Sequence, residues 1–199
     1  MRQPNETQNG VIAMRSAIRN LLYAAIFALS LSTAATYGDG PSGAIRFAAS
    51  QEGVPLQGTF NEFAATVNFD PAKPETGTLR VRVDVGSVTT GIPAADEMLR
   101  GHDFFDAAKF PQATFEASEF HVQGAGHFIA NGAFTLKGHK IPLPVTFTTS
   151  SDPRGQWFDG SFTLSRLMFG VGQGEWADPS TLDDAVKVQF HILQQKASH

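Results

Sequence analysis

The chain contains no cysteine among its 199 residues. This absence excludes a disulfide scaffold, a thiolate metal site, a cysteine nucleophile and a lipid anchor attached to an N-terminal cysteine. It does not decide the compartment, because an exported protein can do without cysteine.

The chain also lacks a surplus of basic charge. It has 15 Lys and Arg residues against 19 Asp and Glu residues, which gives a net charge of -4 at pH 7, and both signs are interspersed. Such a balance provides neither an electrostatic footprint for nucleic acid nor a polybasic patch for a membrane surface. Nucleic acid is therefore not expected as a partner.

Tryptophan and tyrosine are scarce, with two of each, whereas there are 17 phenylalanines. Phenylalanine supplies a large apolar volume without a polar group that needs a partner. This excess suits either a densely packed core or an apolar cavity.

The apolar run near the N-terminus is too short for a membrane-spanning helix, which needs about 20 residues. It begins at Leu21 and ends at Leu31, two arginines precede it, and small residues follow it up to Ala35. This arrangement predicts a cleaved secretory signal over residues 1–35, with an uncleaved anchor as the alternative. Met14 is an alternative start, since residues 1–13 are polar and patternless.

Alternation of apolar and polar residues predicts most of the remaining chain to be strands. The pattern is clearest from Thr78 to Ser87, where Leu79 and three valines alternate with Arg80, Arg82 and Asp84. Turn residues separate the other predicted strands, which run from Ala44 to the break at Gly53 and then over 60–70, 112–123, 126–137, 141–150, 156–169 and 183–193. An insert from Pro93 to about Ala108 is predicted to contain a short helix followed by a polar turn.

This pattern predicts an all-β fold: an antiparallel, about eight-stranded closed barrel with a short helical insert, because closure removes exposed strand edges. The interior of such a barrel is either filled by side chains or holds one small ligand. The predicted inward residues carry no charge. They are Ile45, Phe47, Phe63, Val67, Phe69, Val81, Val83, Phe115, Phe128, Phe134, Leu143, Val145, Phe147, Phe158, Phe162, Val188 and Phe190.

No constellation predicts catalysis, a metal site or a cofactor, so an enzyme is not expected. The six histidines lack metal-ligand spacing, and none of the candidate serines, Ser87, Ser118 and Ser165, lies in a nucleophile elbow. The glycines between Gly170 and Gly174 precede no helix, so a turn explains them better than a phosphate loop.

Two groups of charges have more than one interpretation. The acidic cluster Asp96, Glu97, Asp103 and Asp106 is expected to cap and pair at the surface rather than to act as acid and base. Arg166 lies in an apolar stretch. It either ties a turn to an acidic residue or contacts a ligand headgroup at a barrel mouth.

The segment LRGHDFFD, which begins at Leu99, and the segment FPQATFEAS, which begins at Phe110, resemble the YceI-like family of small lipid-binding, lipocalin-like barrels. Further matching residues at Gly132–Gly138 and at Ser165 with Arg166 extend the resemblance over residues 43–193. The family pattern also has a His after the first strand, where this chain has Gln51.

The resemblance implies a binding protein that sequesters a long-chain isoprenoid, for example a quinone, or a similar amphiphilic lipid. With the predicted signal, the resemblance to a bacterial family implies the periplasm. The expected ligand-binding residues are Phe47, Phe63, Val67, Phe69, Val83, Phe115, Phe128, Phe134, Val145, Phe147, Phe162, Arg166 and Phe190.

A second hypothesis is an interaction module with a filled core, which acts through its surface, for example beside a membrane cytochrome. The insert from Asp96 to Lys109 would then be the docking surface, whereas in the carrier it would be a lid that moves at Gly101. A homodimer is a further partner hypothesis.

Overall fold

The structure is a computed structural model, which describes residues 43–124 and 126–195. The predicted signal segment lies outside these residues. One α-helix, α1 (Pro93–Arg100), interrupts the described strands. The strands are β1 (Gly43–Gln51), β2 (Val54–Phe60), β3 (Phe63–Asn68), β4 (Thr78–Asp84), β5 (Val88–Thr89), β6 (Gln112–Gly124), β7 (His127–Leu136), β8 (His139–Asp152), β9 (Gly155–Ser165) and β10 (Ala185–Gln195).

All ten strands belong to one antiparallel sheet that curls into a half-barrel. The strand order is β3-β4-β6-β7-β8-β9-β10-β1-β2-β5. The predicted antiparallel all-β fold with a short helix is therefore confirmed. Closure is less complete than predicted, because β3 and β5 remain as edges of the sheet among the described strands.

The sheet has two strands more than the approximate count from sequence. The sequence pattern did not predict β2. The strand predicted from residue 60 begins instead at Phe63. It follows a turn in which the N–H groups of Asn61 and Glu62 both donate to Ser87. β5 contains only two residues, paired with Thr59 and Phe60 of β2. Such a short strand shows no alternation that a sequence pattern could reveal.

Helix α1 is the short helix predicted within the insert, and it ends where the chain leaves the helix at Gly101. Turn hydrogen bonds then take over, for example from Phe105 N to Leu99 O and from Asp106 N to Gly101 O. The α1 helix has eight residues. No helix in the described ranges is long and apolar enough to cross a membrane.

The inward side chains form two buried clusters. The first cluster combines strand residues with Phe104, Phe105, Phe169 and Trp176 from the connecting segments. The second cluster is centred on Phe69 and is almost entirely built from strands. Every residue predicted to point inward belongs to one of these clusters or packs against it, as predicted.

Candidate functional site

The wall between the two clusters consists of apolar side chains that face inward and yet are only partly buried. A filled core packs at the density of an organic crystal and would bury such side chains completely. We call this set the phenylalanine wall. Its members are Phe47, Phe60, Phe63, Phe134, Phe162 and Phe190.

Phe134 and Phe190 connect the two clusters, because each packs against both. The Phe134 ring lies 6.0 Å from the Phe162 ring and 5.4 Å from the Phe169 ring, measured between centroids. These two members of the phenylalanine wall therefore link the two buried regions.

The second cluster is a dense aromatic assembly. The centroid of the Phe69 ring lies 5.1 Å from that of Phe120, 5.0 Å from that of Phe128 and 5.3 Å from that of Phe147. The Phe128 and Phe147 contacts are edge-to-face, an arrangement that aromatic quadrupoles favour. These rings fill the space around Phe69 with protein.

Segments between strands supply the aromatic residues of the first cluster. The ring of Phe104 lies 5.7 Å from that of Trp176, and Phe105 lies 5.7 Å from Phe60 of the wall. Both Phe104 and Phe105 are buried. The insert therefore covers part of the interior with two phenylalanines, which are the two in the LRGHDFFD segment.

Three glycines make room for the rings of inward phenylalanines. A Cβ atom at Gly58 would overlap the Phe47 ring, and a Cβ at Gly160 would overlap the Phe190 ring. Each of these pairs faces directly across neighbouring strands. Phe115 lies over Gly132 in a similar way. These rings thus lie against the backbone of a neighbouring strand.

The predicted ligand-binding residues divide into a partly buried and a buried group. Phe47, Phe63, Val67, Phe134, Phe162 and Phe190 are partly buried, and all except Val67 belong to the phenylalanine wall. The buried group consists of Phe69, Val83, Phe115, Phe128, Val145 and Phe147. Phe60 was not predicted, because the sequence pattern did not reveal its strand, β2.

Arg166 follows β9 and is 3% exposed. Its five N–H groups donate to five backbone carbonyls, at Asp183 (3.0 Å), Val171 (2.8 Å), Gly172 (3.1 Å), Trp176 (2.7 Å) and Leu182 (2.6 Å). A guanidinium has five donors, so all of them have partners within the protein. Burial lowers the pKa of Arg166, while the charges of Asp184 and Asp183 oppose that shift.

Of the two interpretations of Arg166, this geometry resembles the one in which the side chain ties a turn. The partners are backbone carbonyl oxygens, however, and not the expected acidic side chain. The guanidinium joins the loop from Val171 to Trp176 to the segment before β10. It leaves no N–H group for a ligand headgroup. The sequence could not show these hydrogen bonds, because the five carbonyls come from separate positions in the loop after β9 and in the segment before β10.

Asp96 in α1 is also buried, at 8% exposure. Its carboxylate accepts hydrogen bonds from Thr90 N (2.6 Å), Thr90 Oγ1 (2.7 Å) and Thr89 Oγ1 (3.0 Å). Burial acts to raise the pKa of Asp96, but the hydrogen bonds from Thr90 and Thr89 and the charge of Arg100 outweigh it and lower the pKa. The expected surface role of this acidic residue is wrong, since Asp96 anchors α1 to β5 from a buried position.

The insert is also tied to the loop that follows β9. Lys137 Nζ donates to the carbonyls of His102 and Gly170, both at 2.8 Å. Burial lowers the pKa of Lys137, while Asp106 and Asp103 act in the opposite direction. The carbonyl of Asp103 accepts from the N–H groups of Gly172 (2.7 Å) and Gln173 (2.8 Å).

The outer face carries a polar groove of about 510 Å³ that the sequence did not predict. It is lined by residues of β8, β9, β10 and β1, among them Arg46, Ser161 and Gln189. His191 Nδ1 lies 2.5 Å from Asp159 Oδ1, and the His191 ring stacks on Trp157 at 3.8 Å between centroids. His191 and Asp159 pair across β10 and β9, a register that the sequence does not reveal.

Across residues 43–124 and 126–195 there is no group of three or more potential ligands that could hold a metal ion.

The chain is similar to solved structures along most of its length. It is 35% identical to BcnA of Burkholderia cenocepacia, with a TM-score of 0.75, over 77% of this chain and 96% of that one. A polyisoprenoid-binding domain from Saccharophagus degradans, implicated in plant cell wall breakdown, shares the fold, with a TM-score of 0.60 at 14% identity over 77% of this chain and 93% of that one.

Curated relatives cover a comparable part of the chain. A UPF0312 protein of Shewanella baltica is 30% identical over 161 residues, which are 76% of this chain and 84% of the relative. A UPF0312 protein of Pseudomonas savastanoi pv. phaseolicola is 29% identical over 147 residues, which are 71% of this chain and 75% of the relative. The model of the YceI-like domain matches residues 39–193. The chain therefore belongs to the YceI-like family.

Proposed function

We propose that the protein binds a long-chain isoprenoid or similar amphiphilic lipid against the phenylalanine wall and carries it in the periplasm. The observation that carries this proposal is the partial burial of inward phenylalanines between two buried clusters. Apolar surface that faces the interior and is only partly covered by protein is stabilised when an apolar chain covers the remainder. The polyisoprenoid-binding neighbour from S. degradans supports the same ligand class.

The proposed mechanism is burial, and no covalent step is assigned. Each methylene group removed from water contributes about 0.8 kcal/mol, so a partly covered isoprenoid chain already provides a substantial binding free energy. Phenylalanine suits such a wall because its ring has no donor or acceptor that lipid would leave unpaired. A quinone is one member of the proposed ligand class. The periplasmic location rests on the predicted signal in residues 1–35.

The test is native mass spectrometry of the protein purified from its own periplasm, before and after denaturation. We expect a bound mass of isoprenoid size that is released on unfolding. A bare polypeptide from native-host material would count against the proposal. Light scattering of the same sample tests the predicted homodimer.

A matched pair of variants on β9 tests whether the lipid binds at the phenylalanine wall. Phe162 faces inward, whereas its neighbour Thr163 is exposed on the outer face. Phe162→Asp should abolish lipid retention because it places a charge on the apolar wall, and Thr163→Asp should retain the lipid. Circular dichroism checks that both variants fold, and Phe162→Asn replaces Phe162→Asp if the charged variant does not. Equal retention in folded Phe162 and Thr163 variants would contradict the wall assignment.

The polar groove on the outer face favours a second candidate function, interaction with another protein such as a membrane cytochrome. The groove combines the His191 and Asp159 pair with Gln189 and Ser161 on the outer face of the sheet. Gln189→Arg should then weaken association with solubilised host membranes in a pull-down and leave lipid retention unchanged. Unchanged association would remove the groove from consideration.

A further inference from the structure

The polar groove on the outer face of the sheet has the dimensions of a small-molecule site. Its volume of about 510 Å³ lies within the range of about 300–1,000 Å³ that is usual for such sites. The polar side chains that line it come from four neighbouring strands and form two rows across them. The first row consists of Arg46, Gln189, Ser161 and Thr146. The second row consists of His191, Asp159 and Thr148.

The floor of the groove is the backbone of the sheet. Gly160 pairs with Phe147 of β8 on one side and with Phe190 of β10 on the other. The two phenylalanine rings pack in the buried clusters on the inward face, and Gly160 has no side chain. Ser161 and Asp159 lie on either side of Gly160, about 6.8 Å apart along β9. The groove therefore runs across the strands with hydrogen-bonding side chains on both sides.

The His191 ring is held in a fixed orientation at the groove. Its Nδ1 atom lies 2.5 Å from Asp159 Oδ1, and the ring stacks on Trp157 at 3.8 Å and an interplanar angle of 11°. The Arg154 guanidinium lies 5.5 Å from the Trp157 ring. Because Nδ1 faces Asp159, Nε2 is the ring nitrogen that His191 presents to a ligand. A side chain that is already fixed loses less conformational entropy on binding.

The lining combines both signs of charge with groups that donate and accept hydrogen bonds. An anionic ligand would face the Asp159 carboxylate, and a cationic ligand would face the Arg46 guanidinium. The hydroxyl groups of Ser161, Thr146 and Thr148 are each both donor and acceptor. This combination favours an uncharged ligand whose own groups donate and accept on every side, which is the chemistry of sugar hydroxyls.

We propose that the groove binds an uncharged pyranose sugar through hydrogen bonds from Gln189, Ser161 and His191 Nε2. The outward side chains of the lining are polar, whereas the centre of a protein interface is enriched in apolar and aromatic side chains. The sugar site uses outward side chains and the proposed lipid site uses inward ones. Either proposal can therefore fail without the other.

The test is an NMR titration of the wild-type protein with glucose, glucuronate and protonated glucosamine. These three probes share one ring and differ in charge. We expect glucose to shift the amide resonances of Gly160 and Phe190 and the Nε2 resonance of His191. Each charged analogue should bind about tenfold more weakly than glucose, because it places a charge opposite a like charge of the lining.

Gln189→Leu should weaken glucose binding by about tenfold, because it removes a donor and an acceptor from the first row. The matched control is Lys187→Leu, since Lys187 is exposed two residues away on the same strand and does not line the groove. This control should bind glucose as the wild type does. The wild-type titration does not depend on the folding of either variant.

Three outcomes would overturn the proposal. The first is a wild-type protein whose groove resonances do not respond to glucose, or respond equally in Gln189→Leu. The second is tighter binding of glucuronate or glucosamine than of glucose, which would exclude an uncharged ligand. The third is association with solubilised host membranes that Gln189→Arg weakens, without any response to glucose, which would assign the groove to a protein partner.

Discussion

Single residues decide how much space the interior keeps. Phe47 and Phe190 are large inward side chains, and each lies over a glycine directly opposite on the neighbouring strand. Because glycine has no side chain, the ring covers the backbone instead of projecting toward the opposite wall. The glycines Gly58 and Gly160 therefore determine where the Phe47 and Phe190 rings lie.

Gly58→Ala should lower the affinity for an isoprenoid probe by about tenfold or more. The added methyl group occupies the position of the Phe47 ring and forces the ring away from β2, toward the space in front of the wall. Fluorescence displacement measures the loss. The control is the double variant Gly58→Ala with Phe47→Leu, in which the smaller side chain restores space and much of the affinity. Unchanged binding in Gly58→Ala would show that the Phe47 ring does not limit the ligand space.

Arg166 illustrates a buried charge whose partners are carbonyl dipoles instead of a carboxylate. Its five hydrogen bonds join the loop after β9 to the segment before β10. Removal of the guanidinium leaves these buried carbonyls without a donor, and each such group costs about 1–3 kcal/mol. The residue thus holds a long connection that has little regular structure of its own.

Arg166→Met should destabilise the protein by about 3 kcal/mol or more, measured as the free energy of unfolding in urea. Arg166→Lys should recover only part of the loss, because an ammonium group has three donors for five acceptors. Arg82→Met is the control, since Arg82 is exposed on β4 and its replacement should change stability by less than about 0.5 kcal/mol. If Arg166→Met lowered the free energy of unfolding by no more than this control, water would have to replace the guanidinium as the donor to the carbonyls.

At the scale of elements, the helix α1 is held by its contacts more than by its own sequence. It has only eight residues, and no side chain caps its N-terminus. An isolated helix of this length is not stable in water. Asp96 connects it to Thr89 and Thr90, and Arg100 donates to the carbonyls of Gly86 (2.7 Å) and Val88 (3.0 Å).

Asp96→Asn should destabilise the protein by about 1–2 kcal/mol at pH 7. The pKa of Asp96 is lower in the folded chain than its usual value, so the folded state is favoured by the carboxylate. This contribution is complete above the unfolded pKa of about 3.9 and is lost as the pH falls through the lower folded pKa. The stability difference between wild type and variant should therefore shrink as the pH falls below about 4.

Urea unfolding at a series of pH values measures this dependence. Glu97→Gln is the matched control on the same helix, because Glu97 is exposed and lies 3.7 Å from Arg100. Its effect should be small at every pH, as for other exposed ion pairs. A stability difference for Asp96→Asn that does not change with pH would mean that the shape of the side chain, and not its charge, holds α1.

At the scale of the whole molecule, the two buried clusters and the phenylalanine wall have different roles. The clusters combine Phe69, Phe128 and Phe147 on one side with Phe104 and Trp176 on the other. These side chains are buried without any ligand. The fold therefore has a core of its own, and in the proposed function the ligand adds to this core by covering the wall.

The delipidated protein should remain folded and unfold cooperatively in urea. Addition of a bound isoprenoid at a free concentration of 100 times its Kd should raise the free energy of unfolding by about 2.7 kcal/mol, because the ligand binds only the folded state. Circular dichroism and tryptophan fluorescence report the transition. Loss of cooperative unfolding on delipidation would show instead that the lipid is part of the core.

Alternation along the strands determined much of the fold and the chemical character of the interior. In β4, for example, Val81 and Val83 face the clusters while Arg80 and Arg82 are exposed, as the pleat predicts. A strand with one buried face has a period of two residues, so its inward side chains can be read from sequence. The LRGHDFFD and FPQATFEAS segments likewise identify the family by their residues alone, in agreement with the family match over residues 39–193.

The tertiary structure alone decided which inward residues form a wall and which fill the core. Phe134 and Phe147 have the same inward orientation, yet Phe134 is partly buried and Phe147 is 4% exposed. The alternation is the same for both, and the difference arises from rings such as that of Phe69, which follows β3 and is distant in sequence from β8. The carbonyl partners of Arg166 and the unpaired amide of Gln51 likewise depend on which segments, distant in sequence, pack against these side chains. Periodicity specifies the face of a side chain, whereas its neighbours across the interior are set by the curvature and register of the whole sheet.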